Sequence, residues 1–354
     1  MSAVGLADLV AELRASRGFA HKRDIAAVLA RLGTPAAAGV PNIVPNGDDC
    51  AVLALPGGQG FQLLAIEGLM PDFVQSQPWF AGYSAVMVNL SDIAAMGGRA
   101  LGVVDALWAC SQAQASELLD GMRAAAERYG VPLLGGHSNL RAPQGQLAVA
   151  VLGHARRLIT SFDAWPGDRL LVAVDLNGAW QGDDPFWNAS TGADPAHLRA
   201  GLALLPELAE SGLCQAGKDI SMAGVLGSLL MLLECSGVGA RVNLQDLPRP
   251  ACVPDWADPS TIARQARLRW LNAFPSYGYV LAVRPDAVVP VMARFAAQGI
   301  ACADVGGIEP GHRLRLRMHG HEATLWDLAA EPFIGAAPLA PVAATTTGTA
   351  ELAA

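Results

Sequence analysis

Asn46-Gly47-Asp48-Asp49 sets two adjacent carboxylates at a turn just ahead of an apolar run, Cys50 to Leu55. A second run, Phe61 to Glu67, ends on a third acid, and the Gly/Pro-rich stretch between the two reads as the turn of a β-hairpin. An antiparallel pair joined this way returns Glu67 to the side of Asp48 and Asp49. Three like charges at one sheet end repel one another unless a cation neutralises them. An all-oxygen donor set suits Mg²⁺, above all Mg²⁺ carrying a phosphate-bound nucleotide. The same four residues also read as a plain β-turn that uses Gly and Asp for their backbone tolerance.

Val88 to Gly97, VNLSDIAAMG, adds a fourth acid. Asn89 and Asp92 are three apart and share a helix face, but Val88, Leu90, Ile93 and Met96 around them are apolar. An acid in that setting needs a partner, either neighbouring backbone or an ion. Gly135-Gly136-His137-Ser138-Asn139 opens a loop, Gly135 to Gly145, after a short apolar strand. Paired glycines at a strand end let backbone N–H groups approach an anion, and they also make ordinary turns. His137 reads as a ligand, a proton carrier or a loop residue. Gly217-Lys218-Asp219-Ile220-Ser221-Met222-Ala223-Gly224 then leads into an apolar helix, with Ser221 as its N-cap and Lys218 and Asp219 facing a cleft beside the helix N-terminus. Of 24 basic residues only Lys22 and Lys218 are lysines, so a lysine directly beside an acid stands out.

These residues need elements to position them. The hairpin is followed by a helix over Gly82 to Met96 that stops at Gly97-Gly98, a strand over Leu101 to Ala109, a helix over Ser116 to Arg128, and strands at Val131 to Leu134 and Leu147 to Gly153. That order describes an α+β domain with helices on one face of a sheet. Pro166-Gly167-Asp168 starts a second α+β unit, with strands expected at Arg169 to Asp175, Ala240 to Leu244, Tyr277 to Val283, Ala303 to Ile308 and Arg313 to Met318. Its helices are expected over Ala196 to Glu210, Ala223 to Cys235, Ser260 to Leu271 and Asp286 to Gln298. We divide the chain into 1–160, 161–335 and a disordered Ala/Pro/Thr-rich tail, 336–354.

Composition limits the partners. A chain of 354 residues, 52% apolar and 16% charged, has material for two cores, and its net charge of −8 disfavours a nonspecific nucleic-acid footprint. No signal peptide or bilayer-length apolar run is present, so a cytoplasmic protein without a membrane span is expected. The six cysteines are scattered without a CxxC pair and read as small core residues.

Taken in order, GDDCAVL at 47–53, NLSDIAAMGG from Asn89, GGHS at 135–138, PGD at 166–168 and GKDISMAGVLGSLL at 217–230 make the chain resemble the AIR synthase-like superfamily of ATP-dependent enzymes. Its members include aminoimidazole ribonucleotide synthetase, thiamine-monophosphate kinase, selenophosphate synthetase and a hydrogenase maturation factor. The resemblance covers roughly residues 40 to 335 and implies a two-domain AIR synthase-like α+β fold. It further implies a C-terminal α+β sandwich and a homodimer in which the N-terminal sheets pair into a barrel. ATP and Mg²⁺ are implied as well, with Mg²⁺ held by Asp48, Asp49, Glu67, Asp92 and Asp219. Gly47, Asn89, Asp92, Gly135 and Gly136 would contact the nucleotide, and His137, Lys218 and Asp219 would take the catalytic roles.

Three positions depart from the kinase pattern. Glu67 replaces an Asp, His137 replaces the Asp of GGD, and Met222 replaces the second Asp of DISDG; the last two remove oxygen ligands and argue against thiamine-monophosphate kinase itself. The reactive cysteines of the selenophosphate and hydrogenase branches are not found. The segment Asn177 to Asp194, with Trp180 and Trp187, reads as a substrate-side loop or as a surface excursion packing its tryptophans. The expected activity is Mg²⁺-requiring phosphoryl transfer from ATP to a small metabolite. The alternative is a nucleotide-binding sensor or scaffold that has lost catalysis.

Overall fold

The computed structural model describes residues 3–32 and 44–338. Two helices come first, α1 (Ala3–Arg14) and α2 (Arg17–Leu32). The N-terminal half then runs β1 (Ala51–Ala54), β2 (Phe61–Gly68), α3 (Pro71–Ser76), α4 (Pro78–Ala95), β3 (Arg99–Trp108), α5 (Gln112–Tyr129), β4 (Leu133–Asn139) and β5 (Gln146–Ala155). Its five strands lie in the order β1-β2-β5-β3-β4, antiparallel except for the parallel β3/β4 pair.

Strand alternation divides this sheet into two faces. Val52, Leu63, Ala65, Val103, Val149 and Val151 point inward and are buried, and α4 packs beneath them with every residue from Phe80 to Ala95 buried. Outward-pointing Leu53, Leu64, Ile66, Val104, Leu134 and Leu152 are exposed, Ile66 at 69%. A sheet face this apolar is unusual on a solvated surface.

The C-terminal half contains β6 (Arg169–Val174), β7 (Ala179–Trp180), β8 (Phe186–Asn188), α6 (Pro195–Glu210), β9 (Ala216–Asp219), α7 (Gly224–Ser236), β10 (Gly239–Asn243) and α8 (Thr261–Leu271). It closes with β11 (Phe274–Pro275), β12 (Gly278–Val283), α9 (Val288–Ala297), β13 (Ala301–Glu309), β14 (Arg313–Met318) and β15 (His321–Asp327). Seven strands form a mixed sheet, β15-β14-β10-β13-β6-β12-β9, and β11-β8-β7 form a small separate one. One face of the large sheet buries Leu171, Ala173, Tyr279 and Leu281 against α6 and α9, while the other buries Val172 and Val280 in the core that contains α7. This is the two-domain α+β arrangement expected from the sequence.

Several details differ from the sequence reading. Residues 133–139 form the edge strand β4 rather than opening a loop; a bulge opposite Val103/Val104 accommodates Gly135 at φ +141°. The N-cap position of α7 is Ala223, held left-handed at φ 81°, and not Ser221, whose backbone N–H donates to Ser228 Oγ at 3.0 Å. The N-terminal helices pack on the C-terminal unit. Phe19 meets Phe333 and Trp326, and Arg14 donates to the Leu325 carbonyl. Residues 336–338 are ordered against the core, with Ala336 beside Gly47; the rest of the expected tail, 339–354, lies outside the described residues. Cys50, Cys214 and Cys235 are buried as expected and Cys302 partly so, whereas Cys110 and Cys252 are exposed.

Candidate metal and phosphate site

Asp49, Asp92 and Asp219 converge from three separate elements. Asp49 ends the turn before β1, Asp92 projects from buried α4, and Asp219 closes β9; one carboxylate oxygen from each lies within 4.8 Å of the others. Asp92 is 6% exposed and Asp219 4%, and no hydrogen bond from the described residues reaches either carboxylate. Burial drives both upward, and the neighbouring acids add to it. Asp219 is raised to about 8 and Asp92 well above the usual carboxylate range. Buried carboxylates without donors are costly as anions, so the pocket as folded favours either protons or a hard cation. The all-oxygen set fits Mg²⁺, with water and phosphate oxygens left to complete its shell.

Asp48 plays a different part. Its carboxylate accepts from the Ser161 backbone N–H at 2.8 Å and the Ser161 hydroxyl at 2.7 Å, so it is spent on the connector between the two halves. Burial is the main cause that raises it to about 6, partly offset by Lys218 and the Ser161 bonds. The connector is itself tied to β9, since Thr160 pairs with Ala216 and the Gly217 N–H donates to the Thr160 carbonyl. Asp48 thus fastens the metal-side turn to the strand that carries Asp219.

Lys218 is 1% exposed and forms a direct ion pair with Asp49, whose other oxygen faces the Asp219 backbone N–H at 3.4 Å. Burial alone would lower its ammonium, but Asp49, Asp48 and Asp219 together raise it, so it stays charged. Glu67 is exposed and is not one of the three clustered acids. It lies near enough to raise Asp92, and its own carboxyl is raised by desolvation against the pull of Lys22. Asn89 is fully buried on α4; its Nδ2 donates to the Ala85 carbonyl, and its Oδ1 has no partner. Gly47 sits at φ +125° beside Cys235 and Ala336.

Gly135, Gly136 and His137 are not brought to the acids within one chain. In register, Glu67 pairs with Val149, Val149 with Asp105, and Asp105 with Gly136. Three strand spacings separate the ends of that row, roughly 14 Å. His137 is exposed near Trp108.

Sequence reasoning missed Ser161, a lone serine in a connector with no motif. It also missed Asp175 and His197, which bond at 2.7 Å on the wall of a cleft of about 600 Å³. Only the clustering of polar residues after β6 could have pointed to them. That cleft is lined by the 177–194 segment and lies apart from the three acids. Within the segment, Trp187 is 3% exposed and packs edge-on against Trp180 and Trp270, so the stretch packs its tryptophans while also walling a cavity.

In this two-domain α+β chain, acids from both halves meet at the junction in a group that could hold a metal ion. The chain belongs to the AIR synthase related protein family: the N-terminal domain model matches residues 47–155 and the C-terminal domain model residues 169–319. An uncharacterized protein of Synechocystis is 44% identical over 331 residues, covering 93% of this chain and 98% of that one. A thiamine-monophosphate kinase of Caulobacter vibrioides is 26% identical, covering 84% and 87%. Among solved structures, AaThiL complexed with AMPPCP and TMP superposes with a TM-score of 0.61 at 16% identity, covering 85% and 95%. Thermotoga maritima PurL complexed with ATP gives 0.62 at 18%; the chain spans about half of PurL's length, 48%. The relatives by sequence thus include a protein named as a kinase, and the two solved chains share the fold. No helix among the described residues is long and apolar enough to cross a membrane.

Proposed function

We propose that the protein is an ATP-dependent, Mg²⁺-requiring enzyme that transfers a phosphoryl group to a small metabolite in the cytoplasm. The carrying observation is the meeting of Asp49, Asp92 and Asp219 within 4.8 Å, with no hydrogen bond from the described residues reaching the carboxylates of Asp92 and Asp219. These three would hold Mg²⁺, which when bound neutralises charge on the transferring phosphoryl group. Asp48, held by Ser161, keeps the Asp49 turn in place. Lys218 fixes the Asp49 carboxylate from beneath. The cleft walled by residues 177–194 supports a substrate-side role for that segment, with the Asp175–His197 pair as its polar feature.

The apolar outer face of the N-terminal sheet supports a homodimer in which two such sheets pack together. ThiL and PurL, named with AMPPCP and ATP, support the nucleotide.

Calorimetric titration of ATP with Mg²⁺ and with EDTA tests the reading, followed by an ADP-release screen over small metabolites. Tight binding only with Mg²⁺, with ADP released on one acceptor, is the expected result. ATP affinity that ignores Mg²⁺ overturns the site, and saturable Mg·ATP binding with no turnover on any acceptor favours a nucleotide sensor instead.

A further inference from the structure

We infer that Lys218 is a resident cation occupying the place of one metal ion, so that the acid pocket takes a single divalent ion, held by Asp49, Asp92 and Asp219. This rests on the metal pocket of the proposed function. Four buried or half-buried carboxylates, Asp48, Asp49, Asp92 and Asp219, crowd this junction, and charge of that density needs more than one positive partner. One such partner is already built into the chain. Lys218 is 1% exposed and its ammonium is paired with Asp49.

The oxygen supply agrees. Both Asp48 oxygens are taken by Ser161, and one of them also accepts the Asp49 backbone N–H at 3.0 Å. One Asp49 oxygen is taken by Lys218. The other Asp49 oxygen accepts the Asp219 backbone N–H at 3.4 Å and keeps a second lone pair, while the carboxylates of Asp92 and Asp219 receive no hydrogen bond from the described residues. That set can anchor one hard cation, with water filling the other positions, and the Asp49 oxygen that a second ion would use is already held by Lys218. Charge points the same way: the ammonium and one divalent ion leave the four carboxylates slightly negative, and Lys22 offsets the nearby Glu67, so that adding a second divalent ion overshoots. An ammonium is a compact point charge, suited to replace an ion where a planar guanidinium would not fit.

The test counts Mn²⁺ on the full chain without nucleotide, by electron paramagnetic resonance of the free ion at saturation. Wild type should bind about one Mn²⁺ per chain, and Lys218→Met about two, because the vacated place then recruits a metal. Lys218→Gln, which keeps a hydrogen bond to Asp49, should do the same where the Met variant fails to fold. Recovery of either variant's melting temperature by Mn²⁺, with a weaker response in wild type, is the second expected result. A wild-type count of two or more overturns the inference and leaves the proposed enzyme standing. Variant counts equal to wild type also overturn it. A wild-type count of zero removes the metal pocket itself, and with it the proposed function.

Discussion

Asp48 and Ser161 lie 113 positions apart and are joined by two hydrogen bonds, one from the Ser161 backbone N–H and one from its hydroxyl. The acid that precedes the first strand is therefore a rivet between the halves of the chain, and its neighbour Asp49 is left to face the pocket. Ser161→Ala removes the hydroxyl and leaves a buried carboxylate short of a donor. A stability loss of about 1.5–3 kcal/mol is expected, the range for hydrogen bonds to charged groups, read as a lower urea midpoint at unchanged slope.

Asp92→Asn separates stability from binding. Removing a carboxyl whose ionisation is opposed by burial and by Asp219, Glu67 and Asp49 should leave the metal-free melting temperature equal or higher. Mg²⁺ affinity should fall tenfold or more, about 1.4 kcal/mol, by calorimetry. An unchanged affinity would place the ion elsewhere.

The pocket sets a pH dependence whose sign is opposite to that of most carboxylates. Asp219, raised to about 8, and Asp48, raised to about 6, keep protons in the folded metal-free chain that the unfolded chain gives up near the ordinary 3.8. The native state binds more protons across roughly pH 4 to 8, so stability falls as pH rises through that window and levels off above it. Mg²⁺ must displace the same protons, so its affinity should climb towards pH 8. Thermal melts in EDTA and in Mg²⁺ over this range check both trends, and calorimetry in buffers of different ionisation heat should register proton release on binding.

Glu234 on α7 offers a test of the C-terminal segment. Its two oxygens accept the Phe333 and Ile334 backbone N–H groups at 2.8 and 2.7 Å from a side chain that is 7% exposed. Glu234→Ala strands both donors and opens a gap beneath Phe333. A loss of about 3 kcal/mol is expected from two charge-assisted bonds, seen as a shifted denaturation midpoint with the Mn²⁺ count unchanged.

Much of this is legible from residue order. The run around Asp92 reads as a helix from its 3.6-residue apolar spacing, and the helix observed begins four residues earlier because Pro78 is well placed in a first turn. Gly135-Gly136 misleads because glycine pairs signal turns, yet an edge strand with a bulge accepts them at little cost. The four-residue β9 is too short to show any period, so Lys218 reads as a cleft residue although the strand buries it against Asp49. Ser221 misleads for another reason. Ala223 adopts the left-handed conformation, at roughly 1–2 kcal/mol, and moves the N-cap two residues on. The acids themselves stand out in the sequence because carboxylates in apolar surroundings are costly unless a donor or a cation meets them. Ser161 does not, since a single hydroxyl in a connector carries no pattern until the fold shows what it touches.

The outward leucines and isoleucine of the N-terminal sheet have a consequence for handling the protein in the test tube. If two copies shield that surface from water, dilution should loosen the pair by mass action, and the melting temperature should drift upward with protein concentration instead of staying fixed. Measurements made at a single dilute concentration would then describe a half-dissociated population and understate how firmly each fold is held.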